Sequence, residues 1–301
     1  MNILKTFWFG IQTTNQKIKI VVYLWLFNFV FSLLIVTPIY YFINRDLSRS
    51  LMADRLAKGI NFLWLGDVIY KYRDVLSALL GWFLVPGVLF FLLHIFLNGG
   101  VLGRIVAENE KINLANFFAD CGKYFFRFIR IFLISIPGYL VIFGLIFTPI
   151  SVLLNLWKKS ASSEWDLIFV SNLRFLLLLL LFSVIKMFFD YVKIRCVAKD
   201  SNKTIRETLF NLSFLGKRFF RAWALYLLVG LAMVLFFVVY LLVDQPLPKM
   251  GFLLFFALTW QQVYILTKMW IKVLFFSTEY QFYNTYREAE KQVFSESMSK
   301  K

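Results

Sequence analysis

Four ionisable residues lie within long apolar stretches, where charged side chains are costly and therefore informative. Lys186 and Asp190 are one helical turn apart and can pair, and Lys268 and Lys272 share one face of another helix. A charge at the centre of a bilayer costs roughly 2.5–3.5 kcal/mol, so each is a functional candidate. These residues predict a polar path for an anion or lipid headgroup. The alternative is that long lysine stems reach the membrane surface from the last turn of a helix.

Six further cations stand beside aromatic residues in two similar connections, 99–130 and 193–221. Phe125-Phe126-Arg127 in the first matches Phe219-Phe220-Arg221 in the second, and each motif enters an apolar stretch. We interpret the connections as repeated cytoplasmic elbow helices, in which aromatics sink toward acyl chains and each cation gains about 1 kcal/mol at anionic headgroups. The candidate headgroup contacts are Lys123, Arg127, Arg130, Lys217, Arg218 and Arg221. Ordinary cytoplasmic flanks of membrane helices are the alternative.

Motifs for most catalytic and metal-binding chemistry are missing from the sequence. His94 is the single histidine, which excludes an HExxH zinc site and a histidine-rich metal cluster. There is no GxSxG nucleophile elbow and no phosphate-binding Walker loop. Cys121 and Cys196 lack CxxC spacing, and we predict that both are small buried apolar residues. We therefore expect neither an enzyme nor a bound metal or cofactor.

The overall composition is typical of a membrane protein. Hydrophobic residues make up 60% of the 301 residues and charged residues 17%, against about 45–50% and 25% in soluble domains. A soluble fold cannot hide this much apolar surface from water. The net charge of +16 then reflects the bias of lysine and arginine toward cytoplasmic loops, so we expect no nucleic-acid partner.

Apolar runs of about 20 residues, the length that crosses the hydrocarbon core, recur along the chain. The predicted fold class is all-α: a polytopic membrane helix bundle in a single domain, 1–301, with about six transmembrane helices. The predicted spans are 20–43, 76–97, 131–156, 167–192, 222–243 and 251–276.

The segments outside the spans indicate the orientation. Residues 1–16 predict an interfacial helix, because an apolar face recurs at helical spacing. With both termini in the cytoplasm, 23 of the 33 lysines and arginines lie on the cytoplasmic side, as the positive-inside rule requires. The segment 44–75 is then an extracytoplasmic loop and 277–301 a cytoplasmic tail. We expect a multi-pass protein of the bacterial inner membrane. The apolar face of the predicted interfacial helix at 1–16 consists of Leu4, Phe7, Trp8 and Ile11.

Three motifs carry a resemblance to known proteins. They are Phe7-Trp8-Phe9-Gly10, Gly99-Gly100-Val101-Leu102-Gly103-Arg104 and Cys121-Gly122-Lys123-Tyr124-Phe125-Phe126-Arg127. With the topology, they resemble a group of uncharacterised bacterial six-helix membrane proteins, similar in layout to the membrane domain attached to some glycerophosphodiester phosphodiesterases. The resemblance implies a six-helix fold and carries over no catalytic residue.

These observations lead to three functional hypotheses. The first is a non-enzymatic membrane protein that handles or senses a lipid or other amphiphile, with the bilayer and its anionic lipids as partner. The second is the permease subunit of a transporter driven by a separate ATPase, because short elbows suit docking. The third is a structural partner of another membrane protein, with 44–75 as the docking surface.

Overall fold

The computed structural model describes residues 2–47, 63, 66, 67, 70, 73–107, 112–160, 163–245 and 252–299. Throughout these ranges the fold is all-α, as the sequence predicts. The helices are α1 (Ile3–Gln16), α2 (Ile18–Leu47), α3 (Arg73–Val106), α4 (Leu114–Ile142), a π-helical segment (Phe143–Phe147), α5 (Thr148–Ser160), α6 (Glu164–Ala198), α7 (Thr204–Gly216), α8 (Phe219–Asp244) and α9 (Leu253–Ser299).

Five helical stretches in the described part of the chain are long and apolar enough to cross a membrane. Each overlaps one of the first five predicted spans, and at most 28% of its most apolar part is buried within the protein. Outward-facing apolar surface on this scale supports a multi-span membrane protein. The stretches are Ile18–Thr37, Leu84–Val106, Leu114–Lys159, Glu164–Ala198 and Phe219–Asp244.

The sixth predicted span, 251–276, is not among these five stretches. Its described residues form the beginning of α9, a helix that continues to Ser299. Gln261, Gln262 and Lys268 lower the apolar character of this part of the helix. Because α9 continues to Ser299, the predicted cytoplasmic tail 277–301 is helical as far as that residue. Most of the predicted loop 44–75 lies outside the described residues.

The chain divides into two compact units. Unit 1 comprises Met1–Lys17, Asn98–Leu231 and Val273–Lys301, and unit 2 comprises Ile18–Leu97 and Ala232–Lys272. Unit 1 contains α1, both predicted elbows and most of the buried polar residues. The prediction of one membrane domain over 1–301 stays a prediction.

The helical run from α4 to α5 passes through a π-helical segment immediately before a proline. Pro149 has no N–H to donate, and its ring crowds the carbonyl four residues earlier. The wider π turn at Phe143–Phe147 accommodates this gap, and the Thr148 hydroxyl donates to the Phe143 carbonyl at 3.0 Å. The run continues without a break through the third predicted span.

Helix α1 packs in unit 1 through a face of small residues. Thr6, Gly10 and Thr14 follow one another at intervals of four residues and are buried. A side chain at Gly10 would overlap Thr278 of α9, so only glycine allows this close approach. The large residues Leu4 and Trp8 are exposed on the outside. An outward apolar face suits a helix at a membrane surface.

The end of α3 also approaches the start of α4 closely at glycine residues. Any side chain at Gly100 would overlap Phe117 and Cys121, and one at Gly103 would overlap Asp120. Cys121 is fully buried, as is Cys196, and both are free thiols. The prediction that the two cysteines are small buried residues is confirmed.

Candidate functional site

Two buried carboxyl groups in unit 1, with two lysines near them, form the candidate site. Asp190 on α6 and Glu279 on α9 are both buried carboxyl groups. Lys186 and Lys193 of α6 lie close enough to Glu279 for their charges to act on its carboxyl group. Two buried acids thus lie near two bases, of which Lys193 is partly buried and Lys186 is exposed.

Asp190 pairs with a different lysine from the one expected. Its Oδ1 accepts a hydrogen bond from the Lys193 Nζ at 2.8 Å. The Lys186 ammonium instead lies over the Phe275 ring, 5.5 Å from its centroid. Both lysines are within one helical turn of Asp190, so spacing alone leaves the choice open.

Glu279 has no such partner among the described residues. Its side chain is 1% exposed, and neither carboxyl oxygen accepts a hydrogen bond there. Burial raises its pKa well above the ordinary value, and the charge of Asp190 adds to the rise, while Lys186 and Lys193 oppose it. A buried carboxyl without donors favours its neutral form.

Aromatic side chains enclose this group on several sides. Tyr191 packs against Phe282 with ring centroids 5.9 Å apart, and Tyr226 packs against Phe275 at 4.8 Å. The Tyr191 hydroxyl is buried and lacks a hydrogen-bond partner within the described ranges. It lies in electrostatic contact with Glu279. The site is therefore a set of buried polar groups enclosed by aromatic rings of α6, α8 and α9.

Two buried arginines occupy matching places in the predicted repeat. Arg104 ends α3, and its Nε bonds to Asp120 Oδ2 of α4 at 2.5 Å. Arg195 lies near the end of α6, and its guanidinium bonds to Glu207 Oε2 of α7 at 3.3 Å. Each arginine thus ties a long helix to the helix that follows it. Losing one partner of such a pair leaves an uncompensated buried charge.

Lys17, which follows α1, binds the first elbow at the C-terminal end of α3. Its buried ammonium donates hydrogen bonds to the carbonyl oxygens of Arg104 and Ile105 and, at 3.4 Å, of Ala107. These carbonyls belong to the C-terminal turn of α3, which leaves acceptors unpaired and carries a partial negative charge. A cation from the end of α1 therefore stabilises the end of α3.

Two of the predicted headgroup cations share a partner from the other elbow. Lys123 Nζ lies 3.0 Å and Arg127 Nη1 2.6 Å from the carboxylate of Asp200. Their charges and hydrogen bonds lower the pKa of Asp200. Asp200 follows α6 with a φ of 47°, the left-handed conformation that usually selects glycine. The Asp200 link therefore joins the first elbow to the second.

The remaining headgroup candidates lie at the surface of unit 1. Arg130, Lys217 and Arg221 are exposed. Arg221 donates to the Tyr286 hydroxyl at 3.1 Å, and the Arg218 guanidinium lies 4.5 Å from the centroid of the same ring. The C-terminal half of α9 thus contacts the second elbow through Tyr286.

The other half of the predicted polar path belongs to unit 2. The Lys268 ammonium lies over the Tyr264 ring at 5.8 Å, and Lys272 Nζ is 3.2 Å from His94 Nδ1. Lys186 and Asp190 belong to unit 1. A path that joins all four residues stays a prediction.

Sequence reasoning missed several of the buried partners. Asp120 and Glu207 lie on elbow helices, where they resemble surface residues of an amphipathic helix. The signal that points to them is the repeated Arg-x-Val-Ala motif, at 104–107 and 195–198. An arginine at the end of each apolar run needs a counter-charge from the helix that follows.

The fold and the buried site together define an all-α protein with several helices suited to cross a membrane. Comparison with protein-family models, curated proteins and solved structures finds no match to this chain.

Proposed function

We propose that this chain is a six-span protein of a bacterial inner membrane that binds an anionic lipid or amphiphile at its cytoplasmic face without catalysis. The observation that carries the proposal is exposed aromatic rings on both elbows, with exposed cations on the same elbows: Lys123 and Arg130 on the first, Lys217 and Arg221 on the second. Phe126 is 68% and Phe220 78% exposed, and an arginine follows each in the sequence. Rings in the acyl region and cations at the headgroups satisfy both kinds of side chain.

Helix α7 supports a position at the membrane surface. It buries Glu207 and Asn211, while Ile205, Leu209 and Leu212 are exposed. In water this arrangement would leave large apolar side chains solvated. At a bilayer the same side chains enter the acyl boundary, and the exposed face becomes a binding surface.

The Asp200 link suggests how lipid binding is sensed. A lipid phosphate is an acceptor of the same kind as the Asp200 carboxylate, and it competes for Lys123 and Arg127. Binding at the first elbow therefore releases Asp200, which lies between α6 and α7 in the second elbow. Because the side chains of Lys123 and Asp200 are 46% and 55% exposed, breaking this pair costs little free energy.

Native mass spectrometry of the full chain, released from its own membranes in mild detergent, tests the proposal. The variant Lys217→Gln/Arg221→Gln should retain fewer anionic lipids than the wild type. The control Lys158→Gln/Lys159→Gln removes the same charge from exposed lysines at the end of α5, on the predicted outer side, and should retain as many lipids as the wild type.

Equal losses in both variants would show a general charge effect and would overturn the proposal. An ATPase that co-purifies stoichiometrically, without retained lipid, would favour the permease hypothesis instead.

A further inference from the structure

Glu279 differs from the other buried acids of the described structure. Asp190 and Glu207 are similarly buried, yet each accepts hydrogen bonds from a cation. Glu279 is the most deeply buried of the three, and its two oxygens have no donor among the described residues. An ionised carboxylate in that position loses its hydration and gains no hydrogen bond in return, which disfavours the charged form. The neutral acid avoids this loss.

The charged groups around Glu279 come from α6, and the neutral ones from α6 and α8. On α6, Lys186 and Lys193 favour a negative Glu279, whereas Asp190 opposes it. Tyr191 of α6 and Tyr226 of α8 also lie within electrostatic range of Glu279. The Asp190 charge is already matched by Lys193 at 2.8 Å. Lys186 is held over the Phe275 ring and makes no hydrogen bond to the Glu279 carboxyl group.

We propose that Glu279 is a buried proton-binding site, at which the folded protein holds one exchangeable proton at neutral pH. Binding converts the carboxylate to the carboxylic acid, and the proton is taken from water. Lys186 and Lys193 are positive and Asp190 is negative. The net charge of these three residues and Glu279 together therefore changes from zero to +1 when Glu279 is protonated. The site thus gives unit 1 a charge state that follows the pH on its side of the membrane.

The buried position of Glu279 supports a function for the proton beyond simple packing. A glutamine or an aliphatic residue would fill the same space without titrating. Ser277, two residues earlier on α9, and Tyr191 also have buried hydroxyl oxygens without hydrogen-bond partners in the described ranges. Both hydroxyl groups can donate hydrogen bonds, yet neither donates one to Glu279, so neither offsets the hydration that a carboxylate loses there.

Infrared spectroscopy of the full-length protein in detergent micelles, titrated with pH, tests this inference directly. A protonated carboxylic acid has a carbonyl stretch that is separate from the carboxylate bands. The wild-type spectrum minus that of Glu279→Gln should show this band at pH 7. In the matched control Glu207→Gln the band should be retained, because Glu207 is paired with Arg195. No difference at pH 7 between wild type and Glu279→Gln would overturn the proposal.

A second variant tests the site with Glu279 in place. Asp190→Asn removes the negative charge that favours the neutral acid and leaves both lysines. The midpoint of the carbonyl band should therefore move to lower pH. An unchanged midpoint, or a shift to higher pH, would contradict the assignment of the proton to Glu279. Both measurements are independent of lipid retention, so the lipid proposal and this one can fail separately.

Discussion

Replacing Asp200 by glycine and by alanine separates the strain of the backbone from the strength of the link between the elbows. Asp200 has a left-handed φ of 47°, which costs a residue with a Cβ about 1 kcal/mol. Its carboxylate is 55% exposed and pairs with Lys123 and Arg127. Exposed ion pairs contribute about 0.5 kcal/mol each. The loss of the pairs and the relief of the backbone therefore nearly cancel in Asp200→Gly.

Alanine keeps the cost of the backbone conformation and loses both ion pairs. We expect Asp200→Ala to reduce the free energy of unfolding by about 1 kcal/mol, and Asp200→Gly to leave it within about 0.5 kcal/mol of the wild type. Equilibrium unfolding in mixed detergent micelles, at low salt and neutral pH, measures both values. The difference between the two variants gives the cost of the left-handed conformation.

The pH dependence supplies an independent check. The pKa of Asp200 is lowered in the folded protein, so the unfolded state binds more protons as pH falls below the ordinary aspartate value. Its contribution is present at neutral pH and is lost as pH falls through the lowered pKa. Both variants should lack this loss. Equal stabilities of the glycine and alanine variants, or a glycine variant weaker by more than about 2 kcal/mol, would refute the reasoning.

Four other substitutions test the packing and the charges of unit 1. Gly10→Ala should lower the thermal midpoint by overlap with α9, whereas Gly122→Ala, which meets open space, should raise or preserve it. Asp120→Asn should cost about 3 kcal/mol of unfolding free energy, because it removes the charge that pairs with buried Arg104 at 2.5 Å; a wild-type value would contradict this. Because the pKa of Glu279 is raised, wild-type stability should fall as pH rises above the ordinary glutamate value, and Glu279→Gln should remove that slope, as a series of unfolding measurements against pH would show.

The apolar runs predict the helices well, because length and hydropathy decide whether a segment can cross a bilayer. Each of the first five predicted spans overlaps a long apolar helical stretch, and both cysteines are buried as expected. The beginning of α9 is less apolar, since polar residues such as Gln261 interrupt it. Its place in the bundle depends on packing, which composition does not describe.

The candidate site depends on choices that spacing leaves open. Lys186 and Lys193 are both within reach of Asp190 on one helix, and the Phe275 ring on a distant segment decides which one pairs. Glu279 lies just beyond an apolar run, where a solvated carboxylate is equally consistent with the sequence. Its burial depends on aromatic residues of α6 and α8 that meet it only in the folded structure.

The docking of α1 on α9 has a consequence for biosynthesis. Gln281 bonds to Thr13, 268 residues earlier in the chain, and Gly10 lies against Thr278. Helix α1 is therefore synthesised long before the part of α9 on which it packs. Until residues 278–281 have been made, the face of α1 that carries Gly10 and Thr13 lacks this partner, and unit 1 is incomplete. A chain that stops before α9 would leave that face of α1 uncovered.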